Sequence, residues 1–239
     1  MKKPKVRGYQ DKVLKTLSGK VGEFYLAGGT ALSLFYFQHR LSVDLDFFTT
    51  SFSSRRIKEI MADLGSTLNK KIELVSQNLE AKESRMFIYY IHFSKRDILK
   101  IDFIEDALNL IKPTKTVDNI RILSLEDIYL RKLFAVTGAI SRIDETGRPK
   151  THGGRVEAKD FYDLYFLSHT FMSMSRFIAK YGNAVMIEGL VRWFRTYDRM
   201  HMMDGVLSLE VNRAMDYKKM EGHFKNEIDK IIENQLGDI

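Results

Sequence analysis

The sequence predicts an α+β protein, a mixed β-sheet core with flanking helices followed by a mostly helical C-terminal domain. Short apolar runs that alternate or stop at turn residues crowd the first half of the chain. Apolar residues at helical spacing dominate the second half. The pattern changes just after Pro113, which gives expected domains of residues 1–115 and 116–239.

Glu23 to Ala27 reads as a short aromatic and apolar strand stopped by Gly28-Gly29, and Thr30 to His39 as a short helix. Leu41 to Phe48 alternates as a second strand. Ile57, Ile60, Met61, Leu64 and Leu68 mark one face of a helix over 54–69. Strands follow over 72–76, 85–94 and 98–104, the last two joined at Lys95-Arg96 as a hairpin. Ser124, with an acid three residues on at Asp127, has the form of a helix N-cap, and an apolar run to Val136 follows. Ranges 158–169, 183–197 and 217–236 read as helices, while 138–157 is polar, glycine-rich and without period, hence a loop. No internal repeat is present.

At 44% hydrophobic and 29% charged residues, the chain suits a globular protein with a core and not a disordered or fibrous one. The N-terminus is basic, but Asp11, Lys12 and Lys15 interrupt any signal-peptide apolar region. The apolar stretch from Phe24 to Phe37 is too short to span a bilayer. The expectation is a soluble cytoplasmic protein with no membrane partner. The absence of cysteine excludes disulfides, thiolate catalysis and cysteine-based zinc sites. A net charge of +7 favours polyanionic partners such as RNA, DNA or nucleotides, or is simply a solubilising surface.

Asp44-Leu45-Asp46 is the centre of the candidate chemistry. Alternation along a strand puts Asp44 and Asp46 on one face, Cα atoms roughly 7 Å apart, with Leu45 and Phe47 toward the core. Two such carboxylates can hold divalent metal, and oxygen ligands suit Mg2+ or Mn2+. Gly28-Gly29-Thr30, between a strand and a helix, allows close backbone approach to a phosphate. Asp102 lies inside an apolar strand, where it is either a third carboxylate beside the metal or the ion partner of Lys100, which shares its face. Arg40 and Ser42 either contact nucleotide or brace the loop, and Lys159, Asp160 and Asp163 form either a functional motif or an exposed charge cluster. His201 among Met200, Met202 and Met203 reads as packing. No Ser-His-Asp arrangement, P-loop or dinucleotide fingerprint is present.

The run Leu26-Ala-Gly-Gly-Thr-Ala-Leu32, followed by His39-Arg-Leu-Ser-Val-Asp-Leu-Asp-Phe-Phe48, closely resembles the AbiEii/AbiGii nucleotidyltransferase family. Glu126-Asp-Ile-Tyr-Leu-Arg-Lys132 and Lys159-Asp-Phe-Tyr-Asp-Leu-Tyr165 continue the resemblance, with a longer connection between them than the family pattern has. That resemblance implies a DNA polymerase β-like nucleotidyltransferase core and a toxin role in a toxin–antitoxin or abortive-infection system, with an antitoxin as partner. It implies that Gly28, Gly29 and Thr30 bind the nucleoside triphosphate, that Asp44 and Asp46 hold the metals with Asp102 as third acid, and that Lys132 reaches the phosphates from a helical domain that completes the nucleotide site. Asp160 matches an acid of the last motif, and the resemblance counts it with Lys132 among the nucleotide-binding residues. The implied acceptor is RNA, such as a tRNA 3′ end, or a protein side chain. A small-molecule nucleotidyltransferase of the antibiotic-modifying kind and a non-catalytic nucleotide- or RNA-binding module are the alternatives. Within 138–157, Arg142, Arg148, Lys150 and Arg155 are expected to help hold a polyanionic acceptor.

Overall fold

A computed structural model describes residues 5–80, 84–138, 142–143, 149–150, 154–212 and 215–237. The chain forms two compact units, Met1–Phe37 with Ser42–Ser124, and Gln38–Leu41 with Leu125–Ile239. The chain thus enters the second unit for four residues between the glycine turn and the Asp-x-Asp motif.

The first unit opens with α1 (Lys5–Leu17), whose Val13, Leu14 and Leu17 are buried. A two-residue strand β1 (Tyr25–Leu26) leads into α2 (Gly28–Ala31), which continues as a π-helical turn, Leu32–Tyr36. After β2 (Leu45–Thr49) comes α3 (Ser54–Leu68). Its Ile57, Ile60, Met61 and Leu64 are buried, Ser53 accepts the Arg56 N–H, and Asn69 ends it at φ 48°. Then follow β3 (Lys71–Asn78), β4 (Met86–His92), β5 (Ile98–Glu105), β6 (Lys115–Val117) and β7 (Ile120–Ile122).

These strands form one mixed seven-stranded sheet in the order β3-β4-β5-β2-β1-β7-β6. The expected hairpin of β4 and β5 is antiparallel, β2 runs parallel to β5, and β1 antiparallel to β2. Alternation along β2 buries Leu45, Phe47 and Thr49, and Phe87, Tyr89 and Ile91 of β4 are likewise buried. The strand expected over 41–48 is therefore shorter and later than its alternation suggested. The Ser42 and Asp44 carbonyls are taken by Gln10 and Thr30, while Leu41 N–H donates to the Glu210 carbonyl and Arg40 makes an isolated β-bridge to Val211, so this stretch does not join the seven-stranded sheet. The strand β6 starts at residue 115 and β7 follows it, and the first unit runs on to Ser124.

The second unit holds α4 (Leu125–Thr137), α5 (Ala158–Phe166) with a following π-helical turn, α6 (Met174–Tyr181), α7 (Ala184–Thr196), α8 (Arg199–Leu207) and α9 (Tyr217–Gly237). Phe161 of α5 is the hub of its core, in ring contact with Trp193, Tyr197, Tyr217 and Phe224. Within the segment expected to be a loop, β8 (Arg142–Ile143) pairs with β9 (Pro149–Lys150). After it, a Cβ added at Gly154 would lie 1.7 Å from the Val136 carbonyl oxygen, so only glycine lets the chain pass there. Next to it, Arg155 N–H donates to the Ala135 carbonyl at the end of α4. The Met200 side chain is 66% exposed while Met202 is buried, so the expected methionine packing around His201 holds only in part.

Candidate active site

In the first unit the chain leaves β1 through Ala27, whose N–H donates to the Asp46 carbonyl at 2.9 Å. Gly28 follows at φ +67°, and a Cβ there would lie 2.4 Å from Asp46 Oδ2. A side chain at position 28 is thus disfavoured twice: it would be strained by the backbone conformation and would push the Asp46 carboxylate aside. Asp46 pairs in register with Asp102 across the parallel strands β2 and β5. Register partners on neighbouring strands share a face at a backbone spacing of about 4.8 Å, so the two carboxylates stand side by side.

Asp44 lies one residue ahead of β2 and is placed by contacts to its backbone. The Thr30 hydroxyl donates to the Asp44 carbonyl and stands 2.8 Å from the Ser42 hydroxyl. Gln10 Nε2 of α1 donates to the Ser42 carbonyl at 2.9 Å and to the Asp44 carbonyl at 3.4 Å. Thr30 is buried, so its hydroxyl fastens the Asp44 loop. Gln10 stands at i relative to Val13, Leu14 and Leu17, so the sequence itself marks it as an amide on an apolar helical face. An amide buried there needs partners, and the Ser42 and Asp44 carbonyls supply them.

For Asp102 the structure has the ion pair with Lys100, and it places the residue beside Asp46. It is the register partner of Asp46, and Lys100 Nζ lies 2.5 Å from its Oδ2. Burial works to lower the pKa of the Lys100 ammonium, but the hydrogen bond and charge of Asp102, with the charges of Asp44 and Asp46, outweigh it and leave the pKa raised. Among the described residues no three acidic or histidine side chains gather tightly enough to enclose a cation as they stand, Asp44, Asp46 and Asp102 included. The positive charge among these acids is an ammonium. In donor type and in their attraction for a cation, the three carboxylates fit a hard divalent ion.

The second unit gathers the other motif residues. Lys132 Nζ of α4 lies 2.6 Å from Asp160 Oδ1 and 2.6 Å from Asp163 Oδ2, both on α5. Asp163 also accepts both Arg40 Nε and Nη2 at 2.7 Å and faces His39 Nε2 at 2.7 Å. Asp160 accepts Arg155 Nε at 2.5 Å. Asp160 and Asp163 are fully buried, so they are no exposed charge cluster, and Arg40 is a brace. Burial pushes the Asp163 pKa up, yet the charges of Lys132 and Arg40 and the hydrogen bonds of His39 and Arg40 hold it well below the ordinary carboxylate value. As placed, Lys132 and Asp160 satisfy one another, and their expected role as nucleotide ligands requires that bridge to open. Of the basic residues expected to hold an acceptor, Arg155 is committed to Asp160. Arg148 lies outside the described residues, as do the side chains of Arg142 and Lys150.

Residues 12–235 match the family described as Nucleotidyl transferase AbiEii toxin, Type IV TA system. The chain belongs to this AbiEii family. It is accordingly a nucleotidyltransferase of the toxin–antitoxin type, and the family implies a nucleoside triphosphate substrate and an antitoxin partner. Enzymes of this kind generally use divalent metal. The chain is 29% identical over 234 residues to the uncharacterised protein aq_aa25 of Aquifex aeolicus (strain VF5), covering 90% of this chain and 91% of that protein. Its fold is similar to the crystal structure of JHP933 from Helicobacter pylori, with TM-score 0.54 and 19% identity over 98% of this chain and 94% of that one. It is also similar to MenT4, the nucleotidyltransferase toxin Rv2826c from Mycobacterium tuberculosis H37Rv, with TM-score 0.59 and 13% identity over 95% and 82% of the two chains. Among the described residues no helix is long and apolar enough to cross a membrane.

Proposed function

We propose that this AbiEii-family protein transfers a nucleoside monophosphate from a nucleoside triphosphate to an acceptor hydroxyl of RNA, such as a tRNA 3′ end, in a reaction that depends on Mg2+ or Mn2+. The observation that carries this reading is the register pairing of Asp46 with Asp102 beside a turn where Gly28 makes room for the Asp46 carboxylate. Asp44, Asp46 and Asp102 are the groups that would hold the cation, which when bound supplies charge stabilisation to the attacking and leaving oxygens. The acceptor oxygen forms a bond to the α-phosphorus as the bond to pyrophosphate breaks. Asp102 takes the hydroxyl proton once Lys100 has moved off it. Gly28 and Gly29 let the triphosphate approach the backbone, while Thr30 keeps Asp44 in place.

The net charge of +7 supports a polyanionic acceptor over the cationic small molecule that an antibiotic-modifying enzyme would take. Asp46 and Asp102 within an apolar sheet, with Asp44 one residue ahead of it, support a catalyst over a silent binding module, because a binding module gains nothing from their mutual repulsion. The test is incubation with total RNA, with candidate proteins and with each labelled triphosphate in turn, with Mg2+ and with chelator. Metal-dependent label in RNA is the expected result. Label confined to protein or to a small molecule replaces the acceptor, and label insensitive to chelator removes the metal.

A further inference from the structure

The face that carries Asp46 and Asp102 also carries a lysine, Lys100, which the proposed reaction requires only to move away from Asp102. Lys100 stands two residues before Asp102 on β5, so alternation puts both on the same face. Its side chain is only 31% exposed, and Nζ reaches Asp102 Oδ2 at 2.5 Å. A lysine is costly to keep in a sheet interior, and here three carboxylates supply the compensating field. The acids in turn need it. Two carboxylates side by side at about 5 Å in a partly buried site repel one another more strongly than they would in water. Three carboxylates and one ammonium still leave two negative charges, so the site continues to attract a divalent cation that must contend with the ammonium for Asp102.

We propose that Lys100 is the built-in counter-cation of the acidic site, holding Asp102 whenever no divalent ion is bound and competing with that ion for it. This rests on the metal-dependent reading above and adds to it a residue that sets metal affinity. A lysine on a four-carbon stem suits the task, because it can withdraw without any movement of the strand. Metal binding therefore includes displacement of the ammonium, and the intrinsic affinity of the acids for metal exceeds what the wild-type protein exhibits.

The test is Mn2+ binding to the full chain at fixed pH without nucleotide, by calorimetry and by loss of the free-ion paramagnetic resonance signal. The proteins compared are wild type, Lys100→Met, Lys100→Gln and Asp46→Asn. Both Lys100 variants should bind Mn2+ more tightly by about tenfold, the scale of one charge-assisted contact removed from the competition. Metal-free, both should melt at lower temperature than wild type, and Mn2+ should raise their melting temperature by more than it raises that of wild type. A lysine that merely supports the strand would move affinity the other way, since a damaged site binds less. If Lys100→Met does not fold, Lys100→Gln carries the comparison, because it keeps a donor and loses the charge. Asp46-dependent Mn2+ binding of unchanged or weaker affinity in the Lys100 variants overturns the role of Lys100 and leaves the metal reading standing. Absence of Asp46-dependent Mn2+ binding in every protein overturns both.

Discussion

Gly28 and Asp46 make a pair in which each residue explains the other. The positive φ at Gly28 turns the chain out of β1, and the missing side chain leaves the space that Asp46 Oδ2 occupies. Gly28→Ala should therefore cost about 1–2 kcal/mol from the backbone conformation alone and displace the carboxylate as well. Its transfer rate should fall by more than its stability explains, which a comparison of kcat with the urea midpoint will reveal. Asp46→Asn keeps shape and loses charge, so the fold should remain while transfer drops roughly a thousandfold or more. Near-normal turnover in a well-folded Asp46→Asn protein would sink the metal assignment. Thr30→Val tests the fastening of the Asp44 loop. It removes the hydroxyl that reaches Ser42 and the Asp44 carbonyl while keeping volume, so kcat should fall about tenfold with little change in the apparent KM for triphosphate.

At the scale of elements, α3 and the β4–β5 hairpin were legible because each is long enough to show its period. Ile57, Ile60, Met61 and Leu64 repeat at helical spacing, and Phe87, Tyr89 and Ile91 alternate. β6 and β7 have three residues each, too few for any period, and their places come from pairing with each other and with β1. The acids of the Asp-x-Asp motif were legible, as was the choice offered for Asp102. Which partners Asp163 would take was not, since His39 and Arg40 lie more than 120 residues away in sequence. That network has a pH signature. The Asp163 pKa is depressed in the folded protein, so its stabilising contribution is complete above the unfolded value of about 3.9 and is lost as pH falls through the lower folded value. Asp163→Asn should cost about 3–5 kcal/mol at neutral pH, because Arg40 keeps a buried charge without its acid and Lys132 is left with Asp160 alone. Its urea midpoint should also fall less steeply than that of wild type on acidification below about pH 4. Parallel acid profiles for the two proteins would remove Asp163 from the acid response.

At the scale of the whole molecule, the two units are interleaved along the chain, since Gln38–Leu41 belongs with Leu125–Ile239. Those four residues are built into the helical unit by backbone as well as side chains. Leu41 N–H donates to the Glu210 carbonyl at 2.7 Å, and Asn212 N–H donates to the His39 carbonyl at 3.2 Å. A cut at the obvious boundary, between Ser124 and Leu125, therefore strips the second unit of part of its own interior. In a fragment of residues 125–239, Asp163 would lose His39 and both Arg40 contacts and retain Lys132 alone. Loss of a buried carboxylate's partners costs about 3–5 kcal/mol, a large share of the 5–15 kcal/mol that a domain has. The fragment should unfold at much lower urea than the helical unit of the full chain, read by hydrogen exchange at the buried amides of α4 and α5. The decisive comparison is Asp163→Asn placed in both. In the full chain it leaves Arg40 and Lys132 without their shared acid, whereas in the fragment it strands only Lys132, which still has Asp160. The substitution should accordingly cost at least 1–2 kcal/mol less in the fragment, an interaction term of the size expected for residues in one network. Equal costs in the two proteins would mean that Arg40 and His39 contribute nothing to Asp163, and a fragment as stable as the intact unit would remove Gln38–Leu41 from it altogether.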